Sequence, residues 1–199
     1  MRYLSIDLES TGLLYTDYII EFACIPLDTE TETLESDLKF HTYISCPSYE
    51  ELLPQLSSWA KENNQTLIKK AHNEGIQSEK FRNIFEEYLC SEKIKKYFSK
   101  QRTQKITLLG KSLNALDLPL LQRDLSYDFL RQYFHHQVQD ISSLAQYLVD
   151  AKKIPENCHR GSELAKFLGV PQVPHTALED AIMTANFYFK LLHSQQVTQ

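Results

Sequence analysis

Apolar and polar residues alternate at the start of the chain, with Leu4, Ile6 and Leu8 set against Tyr3, Ser5 and Asp7. A period of two predicts a strand over residues 2–8. Residues 18–25 are mostly apolar and predict a second strand, entered through a turn region around Gly12. Residues 34–45 predict a third, with Leu38, Phe40, Thr42 and Ile44 on one face and Lys39, His41 and Tyr43 on the other. The polar run 28–33 between them reads as a hairpin connection.

The pattern then becomes helical from about residue 48 to 100. Ser57 or Ser58 is placed to cap a short helix, and Ser78 a longer one carrying Phe81, Ile84, Phe85, Tyr88 and Leu89 at helical spacing. Residues 106–110 predict a short, central fourth strand, followed by a helix that carries Asp117. Residues 137–144 predict a fifth strand leading into a helix through Val149. Another helix is expected over 162–168, ended by Gly169 and Pro171, and a last one from His175 or Thr176 to about His193. The sum is an α/β fold: a mixed five-stranded sheet, made of a three-strand meander plus two further strands, flanked by helices. A long helical crossover lets the first and fourth strands pair in parallel. Their carboxyl ends then lie side by side, where α/β sheets place ligands.

Composition narrows the class. A chain of 199 residues suits one domain, and 42% hydrophobic with 24% charged residues excludes a mainly disordered chain. No apolar run is long enough to span a bilayer, so no membrane association is expected. Asp7 interrupts the N-terminal apolar run too early for a signal peptide. Four dispersed cysteines without a C-x-x-C pair suggest free thiols in a reducing cytoplasm and argue against zinc. The net charge of −5 argues against a protein that coats long duplexes, but not against an enzyme acting on a strand end.

Candidate chemistry sits in three segments. Asp7 and Glu9 follow the first strand's alternation and point the same way. Asp117 lies just beyond the fourth strand, and Asp180 lies near the start of the last helix. Like charges so close repel unless a cation joins them. The four carboxylates offer hard oxygen ligands for two divalent ions, which suit in-line hydrolysis of a phosphodiester. His175 and Asp180 are five residues apart, so they do not stack on one helix; His175 fits the preceding loop, where Pro174 restricts the chain. An imidazole there suits a general base near neutral pH, and the small Ala177 would let the helix approach the sheet.

These segments resemble the DEDDh branch of the DnaQ-like 3′–5′ exonucleases, which have a ribonuclease H-like fold. Asp7-x-Glu9-x-Thr11-Gly12-Leu13 and His175-x-Ala177-x-x-Asp180 match the family's first and third motifs in full. The second segment, Gly110 to Asp117, departs from the usual pattern: Leu116 stands where Phe is common, and Ser112 or Asn114 must serve for the usual Asn. The resemblance implies a single exonuclease domain over 1–199. It gives Asp7, Glu9, Asp117 and Asp180 as ligands of two Mg²⁺ or Mn²⁺ ions, and His175 as the base. Thr11, Gly12 and Leu13 would meet the terminal nucleotide, with Ser112 or Asn114 as further substrate contacts. The expected reaction releases nucleoside 5′-monophosphates from 3′ ends of single-stranded DNA or RNA.

Other features read as structural. The basic run Lys93, Lys95, Lys96, Lys100, Arg102 and Lys105 precedes the fourth strand and reads as a solvated helix face. His72, His135 and His136 lack partners at metal spacing, and Phe187, Tyr188, Phe189, Leu191 and Leu192 read as core. Three competing functions remain at this level: an oligoribonuclease acting on very short RNA, a polymerase-associated proofreading subunit, and a silent nucleic-acid-binding or scaffold domain. The short stretch after the last helix offers no obvious polymerase docking tail. A homodimer is left open, and four unpaired carboxylates argue against a silent binder.

Overall fold

The computed structural model describes residues 1–100, 105–170 and 176–194. Strand β1 (Arg2–Ser10) is flanked by β2 (Ile19–Asp28) in antiparallel register and by β5 (Leu108–Gly110) in parallel. Two short strands, β3 (Thr33–Leu34) and β4 (Phe40–Tyr43), both pair with β2. Strand β6 (Gln139–Asp140) extends the sheet beside β5, giving the order β3-β2-β1-β5-β6 with β4 also on β2.

The described helices are α1 (Tyr49–Leu52), α2 (Ser58–Asn63), α3 (Gln65–Glu74), α4 (Ser78–Cys90), α5 (Glu92–Phe98), α6 (Asp117–Leu125), α7 (Tyr127–Tyr133), α8 (Ile141–Asp150), α9 (Gly161–Leu168) and α10 (Ala177–Ser194). The parallel pairing of the first and fourth predicted strands is therefore present, reached through α1–α5.

The predicted third strand differs in one respect. It is divided into β3 and β4 by a 3₁₀ turn at Ser36–Leu38, so the sheet has six strands. Pro26 lies in the gap between the two ladders on β2 and has no N–H to extend either; its carbonyl accepts from Glu35 N–H at 2.9 Å. The predicted fifth strand shrinks to two residues, because Asp140 turns the chain by accepting the Ser142 and Ser143 N–H groups as the cap of α8. Ser57 caps α2 as expected. Ser78 is instead the first residue of α4, whose cap position is held by Gln77.

Burial follows the alternation of β1. Leu4, Ile6 and Leu8 pack with Phe22, Phe81, Phe85, Leu121 and Phe129 against α4, α6 and α7. Tyr3 and Leu109 pack on the opposite side with residues of α8, α9 and α10. A smaller cluster joins Ile20 to α1–α3 through Leu52, Leu56 and Ile68.

Helix α10 lies across β1 and β2 on an alanine stripe, Ala177, Ala181 and Ala185, all fully buried. The small side chains permit close approach, and the buried Ser5 hydroxyl donates to the Ala181 carbonyl at 2.7 Å. Phe187, Tyr188, Phe189 and Leu191 are core as expected, whereas Leu192 is exposed, since the helix presents it away from the sheet. Lys93, Lys95, Lys96 and Lys100 are exposed; Arg102, Pro171, Pro174 and His175 lie outside the described residues. The four cysteines are free. Among the described residues, no helix is long and apolar enough to cross a membrane.

Phe85 is the hub of the larger cluster, with Phe22 4.9 Å and Phe40 5.4 Å from its ring and Phe81, Tyr88, Phe129 and Phe134 around it. Phe85→Ala should cost about 3–5 kcal/mol. Urea unfolding checks this, and a loss below 1 kcal/mol would mean that the aromatic cluster is not what holds α4 to the sheet.

Candidate active site

Strand β1 continues past the point where its parallel partner stops. The β1–β5 register covers Leu4↔Leu108 and Ser5↔Leu109, and the chain leaves at Gly110. The end of β1 is thus open on one side, and Asp7 and Glu9 project there from the face that α10 covers. The α10 stripe brings Asp180 to the same place. Ligand oxygens of Asp7, Glu9 and Asp180 all lie within 4.8 Å of one another.

Asp117 arrives from the loop after β5, in the first turn of α6, where the helix dipole favours a carboxylate. The Leu8 backbone, beyond the end of β5, favours the charged form of this carboxylate. Asp117 is buried and lines one cleft with Asp7 and Asp180. That cleft encloses about 540 Å³ and is also bordered by Leu13, Lys111, Ser112, Gly161 and Met183.

Burial and neighbouring carboxylates raise the pKa values of Asp7 and Glu9. Burial, followed by the charges of Asp117, Asp180 and Glu9, holds Asp7 well above the usual carboxylate range. Burial and the charges of Asp180, Glu21 and Asp117 push Glu9 up to about 7. Asp117 is also pushed up to about 7, mainly by burial. Clustered carboxylate oxygens of this kind are the donor set that a hard divalent cation takes.

The other predicted contacts fall in distinct places. The Thr11 N–H donates to the Tyr18 carbonyl at 3.0 Å, and its hydroxyl accepts the Tyr18 N–H, so Thr11 is buried closing the loop. Gly12 leaves room for the Asp17 carboxylate, which occupies the space a Cβ would fill and accepts the Leu14 N–H at 2.7 Å. This loop thrusts out Leu13, 82% exposed, between the acidic cleft and a second, apolar hollow of about 480 Å³. Glu9, Leu14, Trp59 and Leu116 border the hollow. Ser112 faces the acidic cleft, whereas Asn114 faces a separate depression beside α7. His175 lies outside the described residues; Thr176 directly precedes α10, its hydroxyl accepting the Glu179 N–H at 3.3 Å.

One residue absent from the sequence reading supports the whole arrangement. Glu21, directly opposite Glu9 in the β1–β2 register, is fully buried. One of its oxygens accepts from His41 Nε2 at 2.6 Å and the other from the Ala177 N–H at 3.2 Å. It thereby ties the first turn of α10 to β2. The available signal was an acidic residue inside the apolar run Ile19 to Ile25, since a buried carboxylate requires partners. Trp59 was also missed, because it lies far from the motifs in sequence.

Residues 4–188 match the RNase_T family, described as exonuclease. The chain belongs to the exonuclease family. A comparison with curated protein sequences gives no match. Among solved structures, the nuclease domain of 3′hExo, a DEDDh family member bound to rAMP, aligns with a TM-score of 0.62 at 19% identity, covering 96% of this chain and 92% of that one. Pop2p of S. pombe, in a Mg²⁺- and Mn²⁺-bound form, aligns with a TM-score of 0.65 at 16% identity, covering 96% and 82%. E. coli Exonuclease I, in complex with a dT13 oligonucleotide, aligns at 0.60 and 16% identity; this chain spans 41% of its length. These likenesses bear out the ribonuclease H-like fold, and the family places this protein among the nuclease hydrolases.

The raised pKa of Glu9 predicts a pH effect on this exonuclease-family protein. A carboxyl that rises from 4.5 to about 7 on folding binds its proton more tightly in the native state. Its stabilising contribution is complete below the unfolded value and is lost as pH rises through the folded one. With chelator present, Glu9→Gln should exceed wild type in stability by roughly 2–3 kcal/mol at pH 8 and by almost nothing at pH 4. Paired urea titrations measure the gap; a gap that is the same at both pH values refutes the assignment.

Proposed function

We propose that this protein is a metal-dependent 3′–5′ exonuclease that releases nucleoside 5′-monophosphates from single-stranded DNA or RNA. The observation that carries the reading is the convergence of Asp7, Glu9 and Asp180, with Asp117 beside them, from three separated segments onto one cleft. Asp7, Glu9, Asp117 and Asp180 would hold two Mg²⁺ or Mn²⁺ ions. Such ions supply a nucleophilic water at neutral pH and charge stabilisation for the leaving oxygen.

The chain's own groups do the rest. Asp7 lies between Glu9, Asp117 and Asp180 electrostatically, as the residue whose pKa all three raise, and is assigned the bridging position. Asp117 would support the second ion. His175 is assigned the general base on its motif, taking the proton of the attacking water. Leu13, standing between the acidic cleft and the apolar hollow, offers its side chain to the terminal base, and Trp59 across that hollow offers a stacking surface. Thr11 and Gly12 shape the loop that presents Leu13, and Ser112 borders the phosphate side of the cleft. An exposed hollow bordered by Leu13, Leu14 and Trp59 favours an unpaired end, because a base must leave its duplex to stack there. The whole described fold serves as one exonuclease domain.

The test is digestion of matched 5′-labelled DNA and RNA oligomers, from dinucleotides upward, with Mg²⁺ or Mn²⁺. Wild-type protein should shorten them from the 3′ end. Asp7→Ala should reduce cleavage to background, and His175→Ala should slow it by about 10²–10⁴-fold. A best rate on dinucleotides would select oligoribonuclease instead. No cleavage and no Mn²⁺ binding would leave a silent domain.

A further inference from the structure

The acidic cleft contains one basic residue among its described lining, Lys111. It follows Gly110 at the end of β5, directly before Ser112, whose φ of 57° turns the chain. Its ammonium lies against the first residue of α9: a Cβ built on Gly161 would stand 2.6 Å from Nζ and 2.8 Å from Cε. The side chain therefore bridges from the β5–α6 loop to α9, within the cleft that Asp7, Asp117 and Asp180 also line. Gly161 is what leaves room for it.

Two readings of such a lysine exist. It could only neutralise the carboxylates, or it could serve the substrate. Its charge does oppose the rise in the Asp7 pKa. Yet among the described residues Lys111 forms no ion pair, and it is exposed to the cleft. Its tip lies against Gly161 of α9, and it shares the lining of one cleft with Asp7, Asp117 and Asp180, the cleft an incoming phosphate would enter. A compact ammonium with three donors suits a phosphate oxygen.

We propose that Lys111 is a substrate-contacting residue that binds a non-bridging oxygen of the phosphodiester at the catalytic carboxylates, on the α9 side of the cleft. This rests on the exonuclease reading. The carboxylates would hold the phosphate through their ions, and Lys111 would bind it directly. Charge added to that oxygen as the attacking water bonds to phosphorus is met by a fixed cation.

The test uses thymidine 5′-monophosphate as a binding probe and oligothymidylate as substrate. Mn²⁺ affinity is measured separately by calorimetry without nucleotide. Lys111→Ala, exposed on a loop, should fold as wild type. It should bind the monophosphate about tenfold more weakly and lose about 10- to 100-fold in kcat/KM. Mn²⁺ affinity should be equal or higher, because a repelling charge is gone. Lys111→Arg should recover part of the loss. Gly161→Ala, which keeps the lysine but displaces its tip, should lower kcat/KM several-fold while leaving helix α9 intact.

Wild-type monophosphate affinity in Lys111→Ala overturns the proposal, as does a loss that merely follows weakened Mn²⁺ binding. Undiminished turnover in that variant, with Asp7→Ala inactive, also overturns it while leaving the exonuclease reading in place. Wild-type protein that neither cleaves nor binds the probes removes both.

Discussion

Gathering four carboxylates at one partly desolvated place is the constraint around which this structure is arranged. Asp7, Glu9, Asp117 and Asp180 are brought together where β5 ends and β1 continues, and burial disfavours the charged forms of Asp7, Glu9 and Asp117. In the bare protein Glu9 and Asp117 are driven to about 7. The fold must supply enough packing elsewhere to hold them there, since an isolated cluster of this kind would spread apart.

That packing comes from both faces of the sheet. The aromatic cluster around Phe85 fixes β1 and β2 from one side. The alanine stripe of α10 and the Ser5–Ala181 hydrogen bond fix them from the other. Glu21 adds a polar clamp at the point of greatest stress. Its two oxygens are used by His41 and by the Ala177 N–H, so the strand behind Glu9 also anchors the helix that delivers Asp180. A buried carboxylate with both oxygens satisfied is tolerated where an unpartnered one is not. Rigid placement of this kind allows a site to stabilise developing charge without reorganising.

The surroundings of the carboxylates divide by chemistry. On one side Leu13, Leu14 and Trp59 form an apolar hollow; on the other, Lys111 and Ser112 border the polar cleft. Leu13 touches both. The loop that presents it is stabilised from within, through Thr11 with Tyr18 and Asp17 with Leu14. Residues of the first motif thus have different places: Asp7 and Glu9 join the carboxylate cluster, Thr11 and Gly12 shape the loop, and Leu13 is displayed by it.

The sequence alone determined much of this. Alternation in residues 2–8 put Asp7 and Glu9 on one face, because strand geometry is local. The parallel pairing of the first and fourth strands followed from the long helical stretch between them. Where local signals competed, the sequence was less decisive. The predicted third strand ran through 34–45 although Pro26 on its neighbour cannot continue the ladder, and the predicted fifth strand overran the cap at Asp140. The roles of Glu21, Trp59 and Lys111 were decided by tertiary structure only. Each depends on which distant segment it meets: Glu21 on the start of α10, Trp59 on the Gly12 loop and Lys111 on Gly161. Local periodicity records which way a side chain points, but not what the fold places opposite it.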